Sequence, residues 1–179
     1  MKLSWHRMLL GAAGTLAALA LTWALLHFTR HPWLLPSFGG SCVILFGMPR
    51  GAMAQPRSLV GGHVLATLVG LVCRGAWHLL GGPQDLWACA AVGAALALMM
   101  ATRTIHSPAG ANPLVVFAED AGWDFLLVPL LPGLALLFLT ALAANNLPRP
   151  WGAGPWPRFV ARRWRGSLGG SLGRTGGAA

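Results

Sequence analysis

Apolar residues fall in six runs separated by polar or Gly/Pro-rich breaks. Four runs are long: Met8–Phe28, Ser58–Leu80, Leu86–Thr102 and Phe125–Ala144. Each is close to the ~20 residues that a membrane-crossing helix needs. Two runs are short. Leu34–Met48 is interrupted by Pro36, Gly39 and Gly40, which leaves Ser37–Met48 as its helix-like part. Leu114–Ala118 follows the punctuated stretch Arg103–Pro113. The pattern predicts an all-α chain in the order long, short, long, then again long, short, long. The first run follows Lys2 and Arg7 as a signal peptide would. It is longer than the 7–15 apolar residues typical of such a segment, so it reads as a retained span.

The two short segments look alike. Gly40-Ser41-Cys42-Val43-Ile44-Leu45 and Gly110-Ala111-Asn112-Pro113-Leu114-Val115 both open on glycine and turn apolar. Paired, Gly/Pro-interrupted short segments in two halves of a chain are the pattern of a transporter core built from a twofold repeat. In an Ala/Gly/Leu-rich chain the same likeness also arises by coincidence. Both ends are basic, with Lys2 and Arg7 at one and Arg149, Arg158, Arg162, Arg163 and Arg165 at the other. The positive-inside rule puts both ends in the cytoplasm and makes the number of crossings even. Two topologies satisfy this. In one, the four long runs cross and the short segments are re-entrant. In the other, the short segments also cross as broken helices. The second puts Arg50, Arg57 and Arg103 inside and Asp85, Glu119, Asp120 and Asp124 outside, so it fits the charge rule better.

Composition narrows the class. Of 179 residues, 9% are charged and 55% hydrophobic, with only four acids; the mean hydropathy is +0.61. A soluble domain carries roughly 25% charged residues. A soluble enzyme, a coiled coil and a disordered chain are therefore excluded, and a polytopic membrane protein fits. The net charge of +9 does not indicate nucleic-acid binding, because the arginines from Arg30 to Arg103 are scattered between apolar runs. Residues 1–146 read as the transmembrane domain. Residues 147–179 read as a basic, Gly/Pro-rich, disordered tail. In it, Arg158–Arg165 can lie on anionic lipid or remain a solvated cytoplasmic tail. Cys42, Cys73 and Cys89 lack metal-ligand spacing and read as small packing residues.

A few polar residues within or beside the runs carry the candidate chemistry. Arg57 opens the third run beside Pro56. Its guanidinium suits a small planar anion, or it is an ordinary arginine at a span end. His63 and His106 can donate to an anion or relay a proton, or bond to backbone at a helix break. Gly40 and Gly110 mark expected helix starts whose free N–H groups favour an anion, with Ser41 and Asn112 as neutral donors at matching positions. Gly62, Ala66, Gly70 and Arg74 share one small-residue face of the third run. Arg74 on that face either meets a protein interior or snorkels to the interface. His27 and His31 are spaced for haem or metal, but Pro32 breaks the helix and no second pair faces them. The expectations are no metal, no cofactor and no enzymatic constellation.

Several of these residues sit in motifs that resemble the HPP family of small integral membrane proteins. The matching elements are SFG-x-S (Ser37–Ser41), AQPR (Ala54–Arg57), GGH (Gly61–His63) and PAG (Pro108–Gly110). The likeness covers roughly residues 10–145. The chain departs from the family's His-Pro-Pro triplet, which here is His106-Ser107-Pro108. The resemblance implies a four-span membrane protein and a transporter; some photosynthetic members are similar to nitrite transporters. The expected function is passage of a small inorganic anion, nitrite foremost, across the inner membrane. The site would comprise Arg57, His63, His106, Gly40, Ser41, Gly110 and Asn112. The alternative is a membrane scaffold whose glycine faces serve packing. The expected partners are the lipid bilayer, anionic lipids at the tail and a second copy of the chain, since so few helices poorly enclose a pathway.

Overall fold

The structure, a computed structural model, describes residues 5–28, 34–146 and Trp156. The expected disordered tail lies outside the described residues apart from Trp156, as do Arg30 and His31. The described part is all-helical. Helix α1 is Trp5–Phe28. Helix α2, Pro36–Cys42, continues as a π-helical turn Val43–Gly47. Helix α3 is Pro56–Leu80, and α4 is Gln84–Thr102. A 3-10 turn Ser107–Ala111 leads into α5, Asn112–Ala118. A π-helical turn Leu126–Leu130 leads into α6, Leu131–Asn146. Four helical stretches are long and apolar enough to span: α1, α3, α4 and Leu126–Asn146.

Local chemistry sets these boundaries. Pro36 and Pro56 stand in the first turns of α2 and α3, where a missing N–H costs nothing and φ is already helical. Pro36 thus moves the start of α2 back from the expected Gly39-Gly40, leaving both glycines inside the helix. Gly81 ends α3 at φ 72 and Gly82 follows at φ 97, values that favour glycine. Trp77 Nε1 donates to the Gly82 carbonyl and Trp87 Nε1 to the Gly81 carbonyl, each at 3.0 Å. Two indoles therefore tie the α3–α4 hairpin together. At the other end of the chain, the Asn146 amide both donates to and accepts from the Trp156 backbone, at 2.7 and 3.0 Å. Trp156 is buried with its ring against Phe138.

Packing follows the small residues. Helix α1 lies on α6, α3 on α4, and α3 along α5. A side chain at Gly14 would run into the Phe46 ring, and one at Gly133 into Phe38. Residues 104–120 climb the face of α3. Thr104 abuts Gly61, His106 abuts Gly62, and Pro113 abuts Gly70. Asp120 reaches Arg74 at 2.5 Å. The α4 end lies at the foot of the same face, where Arg57 donates to the Thr102 carbonyl at 2.7 Å. From Arg57 to Arg74, α3 rises about 26 Å at 1.5 Å per residue. The segment after α4 therefore traverses nearly the whole height of α3 and does not return to the level it left. The first short segment descends over the same height: Pro36 shares a cavity of about 520 Å³ with Asp120 and Asp124, whereas Met53 lies against His106. Each short segment therefore runs along most of the height of α3 without turning back on itself.

Arg74 reaches an exposed partner just beyond the end of α5. It is paired with Asp120, and His78 Nε2 lies 3.2 Å from the same carboxylate oxygen. The Arg74 hydrogen bond holds the Asp120 carboxyl below its ordinary 3.8. A depressed folded-state value means the pair supports folding above about pH 4 and loses that support as pH falls through the depressed value. A thermal melt in detergent is expected to stay flat in this respect from about pH 5 to 7 and drop below about pH 4. Asp120→Asn should lower the plateau and shrink the acid drop. An unchanged drop in the variant would show that the pair is not its source. Cys42 is buried in the core and Cys73 packs beside Ala88 and Phe117. Cys89 is exposed on α4, so it does not have the interior packing role expected of it.

Candidate functional site

The breaks in the two short segments bring polar side chains to the middle of the bundle. Ser41 comes from α2, His63 and Thr67 from α3, and Asn112 is the first residue of α5. His106 precedes the 3-10 turn in extended conformation. All five are fully buried. The chain comes this close only because small residues permit it. A Cβ on Gly62 would stand 2.7 Å from the His106 Cβ, and one on Gly40 3.1 Å from the Pro108 Cβ.

Ser41 Oγ bridges the two histidines, 2.9 Å from His63 Nε2 and 2.8 Å from His106 Nε2. The rings are tilted with centroids 5.1 Å apart, and Phe38 stands edge-on to His63 at 5.8 Å. Each proton follows from the partners. His106 Nδ1 lies 2.8 Å from the Met53 carbonyl; a carbonyl only accepts, so Nδ1 carries the hydrogen and Nε2 a lone pair. Asn112 Nδ2 lies 3.3 Å from the His63 carbonyl, 2.8 Å from Thr67 Oγ1 and 3.0 Å from His63 Nδ1. The carbonyl fixes the amide's orientation, because turning it would set two oxygens face to face. His63 Nδ1 therefore accepts, and its Nε2–H donates to Ser41 Oγ. The Ser41 hydrogen then has two acceptors, His106 Nε2 and the Ser37 carbonyl, the latter at 2.7 Å.

The result is a one-way chain of neutral hydrogen bonds, Asn112 to His63 to Ser41 to His106 to the Met53 carbonyl. The Met53 loop is itself held, since Gln55 Nε2 donates to the Pro49 and Gly51 carbonyls at 3.2 and 3.0 Å. Four buried polar atoms among the described residues lack a partner: Asn112 Oδ1 and Ser37 Oγ here, and Asn145 Oδ1 and Trp156 Nε1 at the end of α6. Orphaned polar atoms at depth are costly.

Four of the seven expected site residues, Ser41, His63, His106 and Asn112, meet in this chain. Arg57 is exposed and faces the end of α4. Gly40 lies beyond the first turn of α2, where N–H groups are already taken by the helix's own ladder, and it serves close approach to Pro108. Gly110 sits within the 3-10 turn, with open space where a Cβ would stand. Neither glycine offers the free helix-start donors that their sequence position implies. Met53, Thr67 and Ser37 were not foreseen. Thr67 had a signal, lying one helical turn from His63; the Met53 carbonyl had none. Among the described residues no group of three or more His, Cys, Asp or Glu side chains is placed to hold a metal ion.

Residues 1–152 match the family model described as the HPP transmembrane region. Two proteins of Dictyostelium discoideum, each described as a transmembrane protein, are 36% identical to the chain over 135 residues. Those matches cover 70% of this chain but 47% and 43% of the relatives, so the chain spans less than half of their length. No solved structure matches it.

Proposed function

This chain belongs to the HPP transmembrane family, and we propose on that footing that it conducts the small anion of a weak acid, nitrite foremost, across the membrane. The pathway runs through the Ser41–His63–His106–Asn112 chain. The observation that carries this reading is a fully buried polar chain at the meeting point of both short segments, in a bundle where such groups are costly unless they serve a path. In this arrangement the site is closed to both sides, as an occluded intermediate of a transporter is. The protein is a conduit and not an enzyme. It lies in the inner membrane with both termini cytoplasmic.

The helix packing supports a twofold internal repeat. Exchanging α1 for α4, α2 for α5 and α3 for α6 turns the α1–α6 packing into α4–α3, α1–α2 into α4–α5, and α2–α6 into α5–α3; all of these contacts exist. The chain direction reverses between the halves, as an inverted repeat would require, and the polar chain lies between them. Midplane binding between inverted repeats is how many secondary transporters are built.

A scaffold role draws on a different observation: every N–H in the buried chain already has a partner, as a purely structural network requires. Nitrite uptake into liposomes holding the purified full chain separates the two. Uptake above protein-free liposomes is expected, with Arg57→Ala retaining at least half of it because Arg57 stands outside the chain. No protein-dependent uptake by monodisperse, folded protein would favour the scaffold. Loss of uptake in Arg57→Ala alone would move the pathway to the α3 start.

A further inference from the structure

Resting on the transport reading above, we infer that the species held at the site is the neutral weak acid, so that each anion crosses together with one proton. The inference comes from counting donors and acceptors. The N–H of His106 is taken by the Met53 carbonyl, that of His63 by Ser41, and those of Asn112 by His63 and Thr67. The Ser41 hydrogen is shared between His106 and the Ser37 carbonyl. A bare anion offers only lone pairs: it can take the hydrogen of the unpartnered Ser37 hydroxyl but leaves Asn112 Oδ1, a second acceptor, unsatisfied. One buried vacancy at the site is a pure acceptor: Asn112 Oδ1, on a residue with 0% exposure. An acceptor is completed by a ligand that brings an O–H. Ser37 Oγ, one helical turn from Ser41 and also unpartnered, can return a hydrogen to the ligand's second oxygen.

No charge stands by to replace that proton. His63 faces Phe38 and Ser41 of α2, Asn112 of α5, and His106. His106 faces Ser41, His63 and the Met53 carbonyl. Neither a carboxylate nor a cationic side chain is among these contacts. The titratable groups there are the two histidines themselves, with Cys42 next to Ser41 on α2. Along α3, Arg57 is turned to Thr102 and Arg74 is paired with Asp120. An unpaired anion in such surroundings carries the full cost of a buried charge. The step balances simply. The anion takes a proton from water on one side, crosses as the acid with its O–H donating to Asn112 Oδ1, and dissociates on the other side. No bond in the protein is made or broken.

The test uses liposomes holding the full chain with a pH-reporting dye inside, and all rates are taken after subtracting protein-free liposomes, since weak acids leak through lipid. Nitrite uptake is expected to acidify the interior by one proton per nitrite and to ignore an imposed potassium-diffusion potential. Nitrate and chloride, whose acids are too strong to carry a proton at neutral pH, should move at least tenfold more slowly. Asn112→Leu should lower nitrite uptake at least tenfold; should it fail to fold, the wild-type stoichiometry decides alone. Protein-dependent nitrite uptake without acidification, following the imposed potential, or with nitrate moving equally fast, would overturn proton co-movement and leave transport standing. Absence of uptake for all three anions would overturn transport itself and this inference with it.

Discussion

Ser41→Ala is expected to reduce nitrite uptake per folded molecule at least tenfold. Ser41 Oγ is the one atom joining the α2 side of the site to both histidines, at 2.9 and 2.8 Å. Its removal leaves the His63 N–H and the His106 lone pair facing an apolar gap. Each unsatisfied buried group costs about 1–3 kcal/mol, so the variant should also melt earlier in detergent. The two effects separate experimentally. Uptake is normalised to protein that is monodisperse after reconstitution, and Ser41→Thr restores the hydroxyl at the cost of one methyl group. Partial recovery of uptake by threonine with an equal or lower melting temperature would show that the hydroxyl, and not stability, carries the function. Uptake at wild-type level in the alanine variant would remove the buried chain from the pathway.

The largest expected effect on folding belongs to Gly62→Leu. Even a Cβ there would stand 2.9 Å from the Thr104 carbonyl oxygen and 2.7 Å from the His106 Cβ. The first of these is backbone and cannot rotate away. The broken segment must shift off α3, which costs about 1–3 kcal/mol for overpacking and further loosens the His106–Ser41 contact. Gly75 is the matched control on the same helix, with nothing within 4 Å of its would-be Cβ. Gly75→Ala is expected to leave stability unchanged or to raise it by about 0.5–1 kcal/mol through helix propensity. Thermal unfolding in one detergent compares them. Equal midpoints for the two variants would show that the α3 face does not hold the second short segment.

Much of this architecture was legible in the sequence because the membrane imposes a simple code. Span length, breaks and basic ends are one-dimensional signals, and they yielded four long helices and two short ones. Ser41, His63, His106 and Asn112 stood out because polar residues inside or beside apolar runs are rare enough to be conspicuous. Glycines misled in one respect. Gly39-Gly40 resembles a helix start, yet Pro36 starts α2, and Gly40 is there for the approach of Pro108. Arg57 misled in another, since proximity in sequence to His63 says nothing about which way a long side chain turns at a helix end. What no local pattern contains is pairing across the chain. Asp120 lies 46 residues from Arg74, and the Met53 carbonyl 53 residues from His106. These contacts exist only because residues 104–120 climb α3, and that climb is a property of the assembled bundle.

The grip of Asn146 on Trp156 bears on how the protein is handled. One amide satisfies both the carbonyl and the N–H of a residue ten positions on, and the indole covers Phe138. The last helix therefore carries a latch. A shortened version ending at Asn146 would lose the latch and uncover the Phe138 ring, about two turns before the end of α6. A boundary placed after Trp156 keeps that closure, and it is the sensible cut for crystallisation or for fusing a reporter to this end.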